Sequence, residues 1–255
     1  MIDCNIDVNE HVIYIDKLDS TNSYLSNLCE NEDMKEYTTI ISDFQTNGRG
    51  QIGNRWESQR GENLTFSTVV YPTSILAREQ FIISIITSTA ICEALSEYTD
   101  DITIKWPNDI YWKDKKICGI LIENDLQGIN IYKSILGIGI NVNQEQFCSD
   151  TPNPVSLYQI INTKTDRNLL LNDIICRLIV GFDMIKKGDS NYLDKIYSKY
   201  KSMLYRKVGN YLFNDKDGDF IASIDNVELN GHLLLKDLDG KKRSYLFKEV
   251  KFIIP

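Results

Sequence analysis

The sequence predicts an α+β fold, with strands and helices alternating over residues 1–205 and a small C-terminal β-barrel or meander over residues 206–255. Three observations carry that expectation. Several runs in the first part place apolar residues at every second position, the period of a half-buried strand. Three longer stretches repeat them at three and four positions instead, the period of a helix packed on one side. Beyond Leu204 the character changes to short β-rich runs, YLFN, FIASIDNVEL, HLLL and YLFKEVKFII, broken by the turn segments NDKDGD and DLDGKK.

Composition narrows the class. The 255 residues allow one large domain, or one with a small satellite, and an ample core. Hydrophobic content of 42% and charged content of 25% are those of a soluble globular chain. A net charge of -8 disfavours a broad electrostatic grip on nucleic acid, which needs clustered Lys and Arg. The start, MIDCNIDVNEHVIYI, has neither the basic region nor the apolar run of a signal peptide, and no segment reaches the length of a membrane span. Six cysteines without a C-x-x-C pair fit reduced packing thiols in a cytoplasmic protein, not a disulfide frame or zinc site. With His11 and His232 the only histidines, a His-based metal cluster or Ser-His-Asp triad has few candidates. The chemistry must therefore run on Lys, Arg, carboxylates and a bound ion.

Taken in order, residues 12–18 (VIYIDKL) are expected as a strand, and Asp19, Ser20, Thr21 and Asn22 supply N-cap chemistry ahead of Tyr24, Leu25 and Leu28. A strand running into a helix start presents free backbone N–H groups and hydroxyls; the plain alternative is that D-S-T-N is only a cap. A strand over residues 38–44 leads into residues 45–56, QTNGRGQIGNRW, where Gly48, Gly50 and Gly53 surround Arg49 and Arg55 and lead to Trp56. A mobile backbone carrying cations and an aromatic plane suits an anionic ligand. The glycines satisfy G-x-G-x-x-G, but a dinucleotide fold needs a helix there to hold the pyrophosphate, and residues 54–63 have no apolar repeat. The acidic ribose-binding residue expected about twenty positions on is also missing, and no P-loop occurs, so both readings are rejected.

Residues 64–71 alternate like a strand with one buried face, and residues 74–99 carry Leu76, Ile82, Ile83, Ile86, Ala90, Ile91 and Leu95 as the stripe of a long core helix backing the sheet. Residues 102–106 are a short strand. Pro107 keeps Trp106 extended and stops a helix, which sets Lys105, Asn108 and Asp109 around a bend. The turn at residues 113–116 (KDKK) leaves Lys113 and Lys115 as a solvated tip. Lys116 enters the next strand shortly before Gly119, where backbone can approach a ligand closely. Gly137 and Gly139 interrupt the strand at residues 131–142, which implies either a face cleared of side chains or a bulge or tight sheet packing. Residues 144–168 are loop-rich and include N-P-V-S-L at 153–157, an ordering loop. A second helix carries Leu171, Ile174, Ile175, Leu178, Phe182 and Ile185, and a third Tyr192, Leu193, Ile196, Tyr197 and Tyr200. No internal repeat or low-complexity tract occurs.

Together, D-S-T-N at 19–22, Q-T-N-G-R-G-x-x-G-N-x-W at 45–56, G-E-N-L at 61–64, K-W-P-N-D at 105–109, the 116–119 segment, G-I-G-I-N-V-N at 137–143 and N-P-V-S-L follow the order seen in biotin protein ligases. The chain resembles that family over nearly its whole length. The resemblance implies a mixed β-sheet with flanking helices, class II aminoacyl-tRNA synthetase-like, as a catalytic domain over residues 1–205, then the small C-terminal β-barrel. It implies activation of biotin by ATP and Mg²⁺ to biotinyl-5'-AMP with release of pyrophosphate. Transfer to a lysine of a biotin carboxyl carrier protein domain follows, with no enzyme nucleophile. Two anions must meet in the first step, so cations are needed where charge develops.

By the same resemblance Lys116 is the central catalytic cation, a compact point charge between biotin's carboxylate and the phosphate, and Arg49 and Lys105 support the anionic groups. Asp109 corresponds to the metal position, with Asn108, Gln51 and Asn141 at the nucleotide and Trp56 on the adenine. Ser20, Thr21 and Gln45 match the positions contacting the ureido ring. Asn22 and Gly48 join the biotin set, and Gly119, Gly137 and Gly139 wall the pocket. Many relatives read G-R-G-R where Gln51 stands here. A neutral amide adds no charge, so either Arg55 or Lys105 compensates or the adenylate escapes faster. The glycine loop is expected to be a lid that orders on ligand.

The segment ahead of Asp19 is too short for the helix-turn-helix of the family's repressors, so no DNA role is expected. A monomer or weak homodimer in the cytoplasm, away from membranes, completes the expectation. Two alternatives stand beside it. Lipoate ligases share the fold and reaction type and are expected to lack this K-W-P-N-D and G-R-G set. A non-catalytic biotin-binding protein would tolerate loss of Lys116 and Asp109, which are both present.

Overall fold

A computed structural model describes residues 8–50, 55–147 and 153–254. The first unit runs β1 (Val12–Leu18), α1 (Thr21–Asn31), β2 (Thr39–Gln45), β3 (Leu64–Val70), α2 (Phe81–Ser96), β4 (Ile102–Lys105), β5 (Asp109–Trp112), β6 (Lys115–Gln127), β7 (Asn130–Ile140), α3 (Leu157–Ile161), α4 (Arg167–Lys186) and α5 (Ser190–Ser202). The seven strands form one sheet in the order β1-β2-β3-β7-β6-β5-β4. Only β1 and β2 are parallel, with α1 as the crossover that parallel neighbours require; the tight turns between β4 and β7 give antiparallel pairs.

The period of two sorts these strands into two faces. Leu64 and Phe66 of β3, Ile138 and Ile140 of β7, Ile120 of β6, and Ile104 and Ile110 join the large core with α2 and α4. The opposite face has two parts. Under α1, Leu25, Ile40, Val69 and Ile135 form a smaller apolar cluster. Beyond it, Thr65 pairs with Gly139 and Ser67 with Gly137, so polar and empty positions line up across the sheet. The functional site is on this second part.

Three expectations need correction here. All seven residues of β3 are buried, because this central strand is covered on both faces and not on one. The helix expected over residues 74–99 shortens to α2: Leu76 bridges to Asn130 and the Ala77 N–H donates to Ile129 O, which fastens these residues to the β6–β7 hairpin. The stripe from Ile82 to Leu95 is buried as expected but too narrow, since Phe81, Ile85, Cys92 and Ala94 are buried as well, as in a helix packed on most sides. Cys29, Cys92 and Cys118 are free thiols, but Cys176 is disulfide-bonded. Scattered cysteines carry no sequence signal of that proximity.

The C-terminal strands β8 (Tyr211–Asp215), β9 (Gly218–Val227), β10 (Leu233–Asp237), β11 (Lys242–Tyr245) and β12 (Lys251–Phe252) form an antiparallel sheet in the order β11-β10-β9-β8-β12. The expected barrel is not closed: β12 has only two residues, both paired with β8, and nothing joins β11 to β12 among the described residues. Phe213, Ala222, Val227, Leu233 and Leu235 belong to the same buried cluster as α2, so one core runs through both sheets. Trp106 Nε1 donates to Gly231 O at 3.0 Å and Tyr197 to Val227 O at 2.6 Å across the junction. Among the described residues, no helix is long and apolar enough to cross a membrane.

Asp43 ties β2 to β1 and α4, accepting from the Tyr14 hydroxyl and from Arg167 Nη1 at 2.9 Å. Burial pushes its carboxyl up, but the Tyr14 and Arg167 contacts outweigh burial and hold it below the usual carboxylate range. A carboxylate depressed in the folded chain contributes stability that is present above its unfolded pKa, about 4, and lost as pH falls through its folded value. Arg167→Gln is therefore expected to move the midpoint of acid unfolding, followed by far-UV circular dichroism, to higher pH. A midpoint unchanged or lower would contradict this.

Candidate active site

Gly137 and Gly139 floor a small cavity, and close neighbours hold the space their side chains would take. A Cβ on Gly137 would lie 2.0 Å from Asn22 Oδ1, and one on Gly139 would lie 2.3 Å from Trp56 Cε2. The ladder through both glycines is regular, so the face is cleared of side chains and is not a bulge. Parallel pairing of β1 and β2 sets Gln45 opposite Leu18, beside the start of α1. There Gln45 Oε1 accepts from Thr21 N at 2.7 Å and lies 3.1 Å from Thr21 Oγ1. Ser20 does cap the helix, accepting from Ser23 N, but Thr21 and Asn22 turn inward and are buried with it.

Two further residues complete this end. Ser67 Oγ sits 2.7 Å from Thr21 Oγ1 and also contacts Asn22 Oδ1; a hydroxyl has one proton, so lone-pair capacity remains for an incoming N–H. Glu123 Oε2 accepts from Asn22 Nδ2 at 2.9 Å, and both carboxylate oxygens face the Arg49 guanidinium. Neither residue was expected. The signal for Glu123 was its place on one strand face with Gly119 and Leu121, and for Ser67 its shared face with Thr65.

The glycine loop frames the cavity from above. Gly48 O accepts from Trp56 N at 3.0 Å and Arg49 bridges to Arg55, so the two described ends of the loop zip together. Gly48 is required, since a Cβ there would lie 2.2 Å from Trp56 O. Gln51, and with it the question of the missing second arginine, lies outside the described residues, as does Gly53. Trp56, expected over a base, has its ring against Gly119 and Gly139. The cavity below the loop is accordingly about 100 Å³, smaller than the several hundred that ligand pockets usually offer. The buried Trp56 Nε1 has no hydrogen-bond partner among the described residues.

The cationic end is built on β4, β5 and β6. Lys116 Nζ pairs with Asp109 Oδ2 at 2.8 Å. Its backbone is clamped on both sides by the 153–157 loop: Lys116 N donates to Asn153 O at 2.7 Å and Val155 N to Lys116 O at 3.0 Å. Asn141 is not brought to the cavity. It is buried, donates Nδ2 to Val155 O at 3.2 Å and secures that same loop. Asn108, with Nδ2 3.4 Å from Ile120 O, lines a second, larger groove of about 1010 Å³ that continues past Arg49 and Leu121 to the C-terminal sheet. Lys105 stands opposite Asp109 in the β4–β5 register. Burial pushes its pKa down, Asp109 opposes that, and Lys116 and Arg206 act with burial.

The arrangement has hydrogen-bonding groups at one end of a glycine floor and cations at the other. Cys118, next to Gly119 in β6, has its thiol pushed far up by burial, which disfavours the thiolate that a nucleophile needs. No cluster of three or more His, Cys, Asp or Glu suited to a metal occurs among the described residues. Such a site suits the joining of two anionic groups without a covalent enzyme intermediate.

Comparison with known proteins agrees with this geometry. The chain is 29% identical over 249 residues to the bifunctional ligase/repressor BirA of Bacillus subtilis, covering 93% of this chain and 73% of that protein. It is 30% identical over 211 residues to biotin--protein ligase 2 of Arabidopsis thaliana, covering 77% and 61%. The structure of a biotin protein ligase from Aquifex aeolicus in complex with biotin and ATP superposes with a TM-score of 0.78 at 25% identity, over 96% of this chain and 100% of that one. The sequence profile of the biotin/lipoate A/B protein ligase family matches residues 14–141, and these include every residue of the glycine floor, the loop and the Lys116–Asp109 pair. The chain belongs to the biotin/lipoate A/B protein ligase family.

Proposed function

We propose that the chain is an ATP-dependent biotin protein ligase that makes biotinyl-5'-AMP and passes the biotinyl group to a lysine of a carrier protein. The observation that carries this is the Lys116–Asp109 pair at one end of the Gly119, Gly137 and Gly139 floor, with Thr21, Asn22, Gln45 and Ser67 at the other. The ureido ring offers one carbonyl and two N–H groups, which the buried hydroxyls and amides of the second end match. Biotin's carboxylate then lies toward Lys116 and Arg49. A carboxylate oxygen bonds to the α-phosphorus of ATP as the bond to pyrophosphate breaks, and Lys116 and Lys105 hold the developing negative charge.

Mg²⁺ favours few carboxylates plus substrate phosphates, so Asp109 suits an ion that arrives with ATP and neutralises phosphate charge. In the second step the carrier lysine's amine attacks the anhydride carbonyl and AMP leaves. Trp56 must leave the cavity for biotin to enter and, from the loop, can then cover the adenylate. Residues 1–205 carry the chemistry, and the reading makes a cytoplasmic carrier protein the partner.

Exchange of labelled pyrophosphate into ATP tests the first step: it is expected with biotin and not with lipoate, and exchange supported by lipoate alone would overturn the choice of acid. The floor gives a second test. Gly137→Ala forces Asn22 aside, an overpacking expected to weaken biotin binding by about 1–3 kcal/mol in calorimetry. An unchanged Kd would mean that Asn22 and the floor do not shape the pocket.

A further inference from the structure

We propose that Phe252, on the last strand of the C-terminal sheet, is a positioning residue for adenylation: with Tyr111 it forms a two-walled aromatic seat that holds the Lys105 ammonium at the phosphate end of the site. This rests on the ligase reading above and adds a part to it. Lys105 Nζ lies 5.3 Å from the Tyr111 ring centroid and 5.1 Å from that of Phe252, both within cation–π range. Among the described residues it makes no hydrogen bond and no ion pair within 4.0 Å. The charged groups facing it are Asp109 on β5, Lys116 on β6 and Arg206 after α5.

That combination matters chemically. A carboxylate seat would fix the ammonium but occupy its donors, whereas ring faces attract the charge and leave all three N–H groups for phosphate oxygens. The flexible lysine stem would otherwise sample many rotamers. Both walls are themselves held. Phe252 pairs with Phe213 across β8–β12, with ring centroids 4.9 Å apart, and the adjacent Ile253 O accepts from Arg206 Nη1 at 2.9 Å. Tyr111 is buried and its ring centroid is 5.4 Å from that of Tyr205, whose hydroxyl donates to Asp114. The C-terminal unit lines the larger groove beside Asn108 but contributes no residue to the wall of the small cavity, and this ring is its contact with Lys105.

The test uses the full chain and pyrophosphate exchange. Phe252→Leu is expected to lower kcat about tenfold and raise the KM for ATP, with the KM for biotin unchanged, while Phe252→Tyr, which keeps the ring face, retains near-native rates. In a Lys105→Gln background Phe252→Leu is expected to add nothing, which separates positioning from general loss of stability. Equal rates in the native protein and Phe252→Leu, equal impairment by Leu and Tyr, or fully additive losses with Lys105→Gln would each overturn the proposal. A signal independent of activity keeps it distinct from the ligase reading. The Lys105 ε-methylene protons are expected to show an upfield ring-current shift that Phe252→Leu relaxes, and no such shift in the native protein would overturn the seat even if exchange is robust.

Discussion

Lys116→Gln is expected to lower biotin-dependent pyrophosphate exchange roughly 10²–10³-fold, the loss that follows removal of one preorganised donor from a site of developing charge. The magnitude follows from how firmly this lysine is placed. It enters β6 directly after the turn, its N–H and C=O are both taken by the 153–157 loop, and its Nζ already faces Asp109 at 2.8 Å. Glutamine keeps much of the length and the backbone pairing but removes the charge, so thermal stability should change little and binding of biotin, fixed mainly at the ureido end, should weaken less than kcat falls. A rate within threefold of the native one would show that charge at this position is not what the reaction uses.

Arg177→Ala is expected to cost about 3 kcal/mol of stability, the low end for breaking a largely buried pair, because it leaves the little-exposed Asp173 carboxylate unpaired and Glu93 with Lys199 alone. Arg177 is only 8% exposed. Its Nε donates to Asp173 at 3.0 Å, and its two terminal nitrogens reach Glu93 of α2 and Glu97 just after it, each at 3.3 Å. Lys199 of α5 also pairs with Glu93, so the guanidinium is the centre of a network joining α2, α4 and α5. Glu97 lies largely in water and can rehydrate, whereas Asp173 and Glu93 have little access to it. Because this network is behind the sheet, activity per folded molecule should be preserved. Urea denaturation gives the cost directly, and a loss under 1 kcal/mol would mean that the three helices are held by apolar packing alone.

Local chemistry marked several segments of the site in advance, and the family resemblance supplied the roles of their residues. The D-S-T-N cap, the glycine loop, the bend at Pro107 and the paired glycines of β7 are each short patterns with a local physical cause, and the structure brings Ser20, Thr21, Asn22, Gln45, Gly119, Gly137, Gly139, Lys116 and Asp109 around one cavity. What escaped depended on contacts distant in sequence. Ser67 gains meaning only when β3 lies beside β7 and under α1, and Glu123 only when the loop brings Arg49 to it. Leu76 looked helical by spacing, but pairing with Asn130 across the molecule overrides that local preference. Asn141 matched a pattern yet turns to the 153–157 loop, because a buried amide takes the backbone partner nearest to it. The barrel failed for the same reason: strand content is local, whereas closure needs β12 to be longer than its two residues.

If the ligase reading holds, the glycine-floored cavity and its lysines activate biotin for transfer to protein. Mass spectrometry of a purified carrier domain incubated with this chain, biotin and Mg-ATP tests it most directly. A mass increase of one biotinyl group on a single lysine is expected, dependent on ATP and strongly slowed by Lys116→Gln. An unmodified carrier in the presence of intact, folded protein and all three components, or modification that persists undiminished in Lys116→Gln, would contradict it.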